Sequence, residues 1–260
     1  MILIKLGGNA LAAATGLGWL DAIASARSKG LKLILVHGGG PQIDVEFDIH
    51  KMPKVVIGGY RVTDETAFGI VEMVLAGQVQ QSLVRALRSR SIPAVGITGS
   101  DGGLFEVNKK YASDGADLGQ VGEVKKIDPS LIKLLMEAGY LPIVSPVSSD
   151  GLGVGFNVNA DLAAGALAGA LHVERAVFMT DVPGIYRNYP DKASLIASTT
   201  LSEMKELLPS LSAGMVPKVE SVIHALESGA KKANVIDGRD GEALQALLSG
   251  EACGTEIIHG

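Results

Sequence analysis

The stretch Asn157-Val158-Asn159-Ala160-Asp161 stands at the head of an apolar run that continues to Ala170. The residues after Asp161 are almost all Ala, Leu and Gly, so a helix formed by them has no large side chain on any face. We expect such a helix to lie buried against a broad, flat surface. Its polar head must then cap the helix, through Asn157 or Asn159, or bind a ligand, because a buried unsatisfied polar group costs roughly 1–3 kcal/mol.

The composition excludes several classes of protein. The chain has 260 residues, of which 47% are apolar and 20% charged, and this balance is typical of a globular chain with its own core. The net charge of −5 predicts no basic face, so nucleic acid is not an expected partner. The single cysteine, Cys253, fits a reducing compartment. We recognise no signal sequence and no run long enough to span a membrane, and therefore expect a cytoplasmic protein without a membrane partner.

Short apolar runs that end in glycine alternate with amphipathic segments along most of the chain. This alternation predicts an α/β fold, a three-layer αβα sandwich with a mostly parallel central sheet. Residues 54–63 predict a hairpin around Gly58-Gly59, and Thr63 is the expected N-cap of a helix that runs towards Arg90. The alternating, glycine-containing residues 104–124 predict small hairpins.

Lysine, arginine and glycine residues supply candidate anion-binding groups. His37-Gly38-Gly39-Gly40 follows a predicted strand and is either a phosphate cradle or a tight strand-to-helix turn. Lys5 lies within the first apolar strand, where it needs an anion unless the strand is at an edge and the side chain reaches solvent. Lys218, at a predicted helix start, opposes the helix dipole unless an anion binds there. Arg61 could hold a carboxylate by two hydrogen bonds or pair with a nearby acid.

The sequence lacks the commonest motifs of other catalytic classes. The five histidines show no metal-ligand spacing, and no nucleophile–base arrangement stands out. The Gly-x-x-x-x-Gly-Lys-[Ser/Thr] and Gly-x-Gly-x-x-Gly nucleotide-binding signatures are also absent.

Six motifs, taken in order, resemble those of the amino acid kinase family and span nearly the whole chain. The motifs are Lys5-Leu6-Gly7-Gly8, His37-Gly38-Gly39-Gly40-Pro41, Gly59-Tyr60-Arg61-Val62-Thr63, Asn157-Val158-Asn159-Ala160-Asp161, Thr180-Asp181-Val182-Pro183-Gly184 and Gly214-Met215-Val216-Pro217-Lys218. Six ordered motifs are far more specific than any one of them. Within the family, the chain is most similar to the short, arginine-insensitive enzymes that phosphorylate N-acetyl-L-glutamate.

The resemblance implies transfer of the γ-phosphoryl group of ATP to the side-chain carboxylate of N-acetyl-L-glutamate, giving an acyl phosphate in arginine biosynthesis. It implies that Lys5 and Lys218 neutralise the transferred group, that Asp161 orients both lysines, and that Mg²⁺ is carried on the nucleotide phosphates without dedicated protein ligands. By the same implication the substrate-binding residues are Gly39, Gly40, Arg61 and Asn157, and the nucleotide-binding residues are Gly7, Gly8, Thr180, Asp181 and Gly184. Gly39 and Gly40 also offer N–H groups to the phosphates.

The resemblance also implies how the chain is organised. Residues 1–260 form a single domain, with an acyl-amino-acid lobe at about 1–155 and a nucleotide lobe at about 156–260. The extra N-terminal helix of arginine-regulated hexamers is not recognised, so we expect a homodimer that is insensitive to arginine. The long helix near residues 66–90 is the expected dimer interface.

Two alternatives stay open because the chain departs from the family pattern near the substrate pocket. Tyr60 stands where members usually have leucine, and residues 45–57 match poorly. One alternative is a kinase of carrier-protein-linked aminoadipate or glutamate, whose acidic carrier could dock on Lys51, Lys54, Lys109 and Lys110. The other is a non-catalytic nucleotide- or amino-acid-sensing module, against which the presence of both lysines and Asp161 argues.

Overall fold

The computed structural model describes residues 1–11, 18–211 and 215–260. Its strands are β1 Ile2–Leu6, β2 Leu33–His37, β3 Val56–Ile57, β4 Tyr60–Arg61, β5 Ala94–Thr98, β6 Phe105–Tyr111, β7 Asp117–Ile127, β8 Leu141–Ser145, β9 Val147–Ser149, β10 Gly155–Val158, β11 Arg175–Thr180, β12 Ser198–Thr200, β13 Lys232–Asp237 and β14 Thr255–Ile258. Its α-helices are α1 Gly18–Ser28, α2 Gly40–Ile49, α3 Glu65–Glu72, α4 Gln80–Arg88, α5 Ser130–Glu137, α6 Ala160–Ala170, α7 Leu201–Leu207, α8 Val216–Glu227 and α9 Gly241–Ser249. A π-helix, Met73–Val79, joins α3 to α4.

The central sheet confirms the predicted α/β fold with a mostly parallel sheet. In the described residues it has eight strands, in the order β12-β14-β13-β11-β1-β2-β8-β5. Every neighbouring pair is parallel except β13 and β14. Alternate residues of β1 and β2 enter two separate apolar cores, with Ile4 and Leu35 on one face and Leu3 and Ile34 on the other. The sheet is therefore covered by helices on both faces, as a buried parallel sheet requires.

Residues 104–124 do not form the small hairpins that the sequence predicts. Strands β6 and β7 instead make one long antiparallel hairpin, and β9 and β10 close it into a four-stranded barrel. The pairing of β6 with β7 shifts between Glu106 and Val107 and again between Lys109 and Tyr111. Such bulges bend and twist a hairpin, which lets it curl closed.

Helix α6 confirms the expectation of a buried helix of small residues. Asn159 is its N-cap, with its side chain accepting hydrogen bonds from the backbone N–H groups of Asp161 (2.9 Å) and Leu162 (3.2 Å). A Cβ added at Gly165 would lie 2.6 Å from the carbonyl oxygen of Ser221 on α8. The small side chains therefore let α6 press closely on α8 as well as on the sheet.

The start of the long helix after the β3–β4 hairpin is displaced by one residue from the predicted position. Asp64, and not Thr63, is the N-cap, since its carboxylate accepts the N–H of Ala67 at 2.8 Å. The Thr63 hydroxyl donates instead to the carbonyl of Arg61, at 2.7 Å. The following helix reaches Arg88, but Met73–Val79 is π-helical, a local feature that the apolar periodicity does not reveal.

One helical segment, Glu65–Arg88, is long and apolar enough by length and composition to cross a membrane. Its most apolar window has a mean hydropathy of 1.2, and half of that window is buried inside the structure. A single segment of this kind is weak support for a span, because helices that pack on the core of a soluble protein pass the same test.

His37 ends β2 and is a buried polar group of the core. Its ring is fully buried, and Nδ1 donates to the carbonyl of Gly38 at 2.9 Å. Burial lowers the pKa of His37 from 6.5 to about 4, although the hydrogen bond to Gly38 acts in the opposite direction. The imidazole of the folded protein is therefore neutral at pH 7 and costly to protonate.

This burial predicts a specific loss of stability in mild acid. Because the unfolded chain binds a proton near pH 6.5 and the folded chain only near pH 4, the free energy of unfolding falls as the pH drops through this window. From pH 7 to 4.5 the loss from His37 is about 2 kcal/mol. Urea unfolding of the wild type and His37→Asn at both pH values should show this difference, since asparagine keeps a donor but does not titrate. The control is His50→Asn, on an exposed ring; an equal pH dependence in His37→Asn and the wild type would contradict the prediction.

Candidate active site

The carboxyl ends of three neighbouring parallel strands bring the sequence motifs together. Strand β1 lies between β2 and β11, with Leu6 in register with His37 and Lys5 in register with Phe178. The glycine turns after β1 and β2 are therefore adjacent, and Asp181 follows β11 on the other side. Open parallel sheets bind ligands at this edge.

Three glycines of the two turns approach their neighbours too closely for a side chain. A Cβ at Gly7 would lie 2.5 Å from the carbonyl oxygen of Met179, and one at Gly8 would lie 2.7 Å from Cδ of Pro41. A Cβ at Gly39 would lie 2.6 Å from Cδ2 of Leu75. Gly40 has open space around it and begins α2, so the free N–H groups of the first helical turn lie at this edge. Such a turn is suited to binding an anion.

Lys5 and Asp161 form a buried ion pair. The Lys5 Nζ lies 2.7 Å from Oδ1 of Asp161, and their side chains are only 8% and 17% exposed. An edge-strand lysine that reaches solvent was one sequence-based interpretation, and it is wrong, because β1 is an inner strand. The anion that Lys5 requires is supplied by the first turn of α6.

Lys218 lies in the first turn of α8, on the far side of the same sheet edge. Its Nζ is 3.9 Å from Oδ1 of Asp181, and both side chains are partly exposed. Asp161 therefore contacts Lys5 in the structure. The role that the resemblance implies for it, orienting both lysines, stays a prediction. Gly214, which the sequence motif of Lys218 includes, lies outside the described residues.

A cavity of about 400 Å³ lies in front of the glycine turn after β2. The predicted residues that line it are Lys5, Gly8, Gly39, Gly40, Arg61, Asn157 and Asp161. Arg61 donates from Nη2 to Asp44 at 2.6 Å, and its guanidinium stacks 4.9 Å from the ring centre of Phe47. Its other terminal nitrogen, Nη1, is buried without a partner among the described residues. The pairing with Asp44 therefore orients the guanidinium at the cavity wall.

A second cavity, of about 550 Å³, lies on the Lys218 side. Of the predicted nucleotide-binding residues, Asp181 lines it. Thr180 and Gly184 do not: the Thr180 hydroxyl donates to the carbonyl of Val182 at 3.0 Å, and a Cβ at Gly184 would lie 2.6 Å from Oγ1 of Thr255. These two residues shape the turn after β11 rather than the cavity wall. Gly7 likewise packs behind its turn and lines neither cavity.

Sequence reasoning missed an aromatic pair in this second cavity. Tyr186 and Tyr189 line it, with ring centres 5.8 Å apart in an edge-on arrangement. Two tyrosines within four residues are an unusual concentration in a chain with only five, and this was the signal available. Aromatic faces beside Lys218 suit a ligand that combines a flat ring with negative charge.

Proteins of similar sequence match nearly the whole chain. Acetylglutamate kinase of Salinispora tropica is 42% identical over all of this chain and 90% of its own length. Acetylglutamate kinase of Streptomyces coelicolor is also 42% identical, over 99% of this chain and 86% of its own.

Solved structures share the fold. N-acetylglutamate synthase from Neisseria gonorrhoeae, complexed with coenzyme A and N-acetyl-glutamate, superposes with a TM-score of 0.87 at 26% identity. The match covers all of this chain and 59% of the synthase chain. Carbamate kinase of Giardia superposes over all of this chain and 98% of its own with a TM-score of 0.74, and at 21% identity it shows the fold alone.

The sequence model described as the Amino acid kinase family matches residues 1–237. That match contains every residue that lines the two cavities. The chain belongs to the amino acid kinase family.

Proposed function

We propose that this protein transfers the γ-phosphoryl group of ATP to the side-chain carboxylate of N-acetyl-L-glutamate, in arginine biosynthesis. The observation that carries the proposal is the buried Lys5–Asp161 pair at the edge of a cavity that also contains Arg61 and Asn157. Relatives named acetylglutamate kinase, at about 40% identity along the whole chain, support the same activity.

The residues of the site suit phosphoryl transfer to a carboxylate. An ionised carboxylate is already a nucleophile, so its oxygen can attack the γ-phosphorus while the bond to ADP breaks, without a general base. What the reaction needs is charge neutralisation and alignment of the two partners. Lys5 lines one cavity and Lys218 the other, and in this proposal each lysine neutralises the transferred group from its own side.

The second cavity is the proposed nucleotide site. Lys218 supplies a cation for the phosphates there, and Tyr186 and Tyr189 supply aromatic surface for the base. In the described ranges no three His, Cys, Asp or Glu side chains come together as metal ligands. A Mg²⁺ ion bound with ATP would therefore be held mainly by phosphate oxygens and water, with Asp181 as the nearby carboxylate, and would neutralise phosphate charge. The boundary near residue 155 between a substrate lobe and a nucleotide lobe is part of the same proposal.

The carrier-linked alternative receives less support from the surface charges. Of the lysines that could form a basic docking surface, Lys54 pairs with Asp48 at 2.7 Å, Lys109 with Asp117 at 2.9 Å and Lys110 with Glu123 at 3.1 Å. The carboxylates cancel most of the positive charge that an acidic carrier would need. A sensing module would not need the buried Lys5–Asp161 pair, whose charges cost free energy to bury.

We further propose that the chain is a cytoplasmic homodimer, insensitive to arginine, with Glu65–Arg88 at the interface. Half of the most apolar window of this segment is unburied. Met73 on its outer side is 45% exposed, and α2 beside it exposes Val45 and Ile49. Exposed apolar side chains on neighbouring elements support an interaction site here. An arginine titration that changes turnover would contradict the regulatory part.

Removing either lysine should abolish most of the activity. We expect Lys5→Ala and Lys218→Ala each to lower kcat by about 100-fold or more, the usual effect of losing one preorganised donor. The measurement is ADP release with ATP and N-acetyl-L-glutamate. Lys54→Ala, at an exposed ion pair, is the control and should turn over normally. A folded Lys5→Ala or Lys218→Ala variant with near wild-type kcat would remove that lysine from the proposed mechanism.

Asp161→Asn should separate positioning from binding. Asparagine keeps the size of the side chain but cannot balance the charge of Lys5, so kcat should fall at least 10-fold while the KM for ATP changes little. Steady-state kinetics at saturating N-acetyl-L-glutamate measure both constants, and circular dichroism checks the fold. A variant that mainly loses ATP affinity would show that Asp161 does not act by placing the lysines.

The proposed dimer can be tested by charging its apolar face. In sedimentation equilibrium the wild type should have twice the chain mass of 26.9 kDa, and Met73→Glu should have the mass of one chain. The reason is that the glutamate would be buried in the dimer interface without a partner for its charge. Leu152→Glu is the matched control, since Leu152 is a 91% exposed apolar residue elsewhere on the surface. A monomeric wild type, or a Met73→Glu dimer as tight as the wild type, would count against the interface.

A further inference from the structure

Thr63 links the backbone of Arg61 to the side chain of Asn157, the two residues that the proposed function assigns to the amino-acid substrate. The residue is fully buried and lies behind the wall of the 400 Å³ cavity rather than in it. Its hydroxyl donates to the carbonyl oxygen of Arg61 at 2.7 Å. The Nδ2 group of Asn157 donates to the same hydroxyl oxygen at 3.3 Å. One buried hydroxyl thus joins the chain at Arg61 to the amide of Asn157.

The backbone holds Thr63 in place independently of its side chain. Its N–H donates to the carbonyl of Leu118 at 3.0 Å, and its carbonyl accepts the N–H of Gln120 at 2.5 Å, so Thr63 is fixed to β7. A Cβ at Gly119 would lie 2.2 Å from this carbonyl oxygen, and therefore only glycine permits the approach. Strand β7 pairs with β10, where Asn157 is in register with Val121. Loss of the hydroxyl alone would leave this scaffold intact.

The hydrogen-bond count determines which way the Asn157 amide faces. A threonine hydroxyl has one proton, and here the carbonyl of Arg61 takes it. The oxygen can then only accept, so the NH₂ end of the amide must face Thr63. The carbonyl oxygen of the Asn157 side chain is thereby turned away from Thr63. Without the hydroxyl the amide could rotate by 180° and exchange a donor for an acceptor at the cavity wall.

We propose that Thr63 is a positioning residue for the amino-acid substrate, acting through Asn157 and Arg61 without touching the ligand. Its hydroxyl sets the orientation of the Asn157 amide and ties it to the chain that carries the Arg61 guanidinium. This inference rests on the proposed function, in which Arg61 and Asn157 bind N-acetyl-L-glutamate. It concerns affinity for the amino acid, since Thr63 contacts neither lysine nor the second cavity in the structure.

The test compares Thr63→Val with Thr63→Ser. Valine keeps the shape and removes the hydroxyl, and the KM for N-acetyl-L-glutamate should rise roughly 3- to 10-fold, as for the loss of one or two neutral hydrogen bonds. The KM for ATP and kcat should stay within about twofold of the wild type, and serine should restore the wild-type KM. Thr199→Val is the matched control, because Thr199 is also buried but its hydroxyl bonds to Glu203, away from both cavities. Equal KM values in Thr63→Val and the wild type would overturn the proposal.

A double-mutant cycle with Asn157→Ala separates positioning from a general structural effect. If Thr63 acts through the amide, Thr63→Val should raise the KM little further once Asn157 is alanine. The same fold-increase in both backgrounds would contradict a role through Asn157. Urea unfolding of each variant shows whether the scaffold is intact.

A second readout keeps this inference separate from the proposed function. In the ligand-free protein, the side-chain ¹H–¹⁵N signals of Asn157, assigned by their loss in Asn157→Ala, should shift in Thr63→Val and stay in place in Thr199→Val. Absence of wild-type turnover with N-acetyl-L-glutamate would contradict the proposed function alone. An unmoved Asn157 signal in Thr63→Val would contradict the link between Thr63 and Asn157, whatever the substrate.

Discussion

The buried ion pair of Lys5 and Asp161 is the interaction on which the rest of the site depends. The positive charge of a lysine on an inner strand of a parallel sheet must be neutralised by a nearby negative charge. Here a carboxylate within hydrogen-bond distance does so. That carboxylate stands in the first turn of α6, where the helix dipole also favours a negative charge. Helix α6 must therefore lie close to β1, and its Ala and Gly residues are what permit this.

The glycine turns follow from the same crowding at the sheet edge. Once Lys5 and Asp161 are brought together, the turns after β1 and β2 pass within van der Waals distance of Met179, Pro41 and Leu75. Only glycine fits at Gly7, Gly8 and Gly39 without displacing a neighbour, and the first turn of α2 begins at the same edge. Charge balance and close backbone approach thus make one edge, built from three separate stretches of the chain, that is suited to binding an anion.

The elements of the fold that depend on local sequence signals could be predicted from the sequence. Strands β1 and β2 and the cap at Asn159 could be predicted because apolar runs, glycines and capping residues are local signals. Features that depend on contacts between distant segments could not. The closed barrel of β6, β7, β9 and β10 depends on bulges. Asp64 rather than Thr63 is the N-cap, because the Thr63 hydroxyl donates to the carbonyl of Arg61 in β4. The two tyrosines of the second cavity come into contact only in the folded chain. The last strand, β14, was not predicted, since its short run pairs with two distant strands.

Direct detection of the reaction product tests the central claim that this edge transfers phosphoryl groups to a carboxylate. An acyl phosphate reacts with hydroxylamine to give a hydroxamate, which ADP release alone does not reveal. With ATP and N-acetyl-L-glutamate, the wild type should form hydroxamate in step with ADP, and free glutamate or aminoadipate should give much less. ADP release without hydroxamate, or equal hydroxamate from the unacetylated amino acids, would contradict the account.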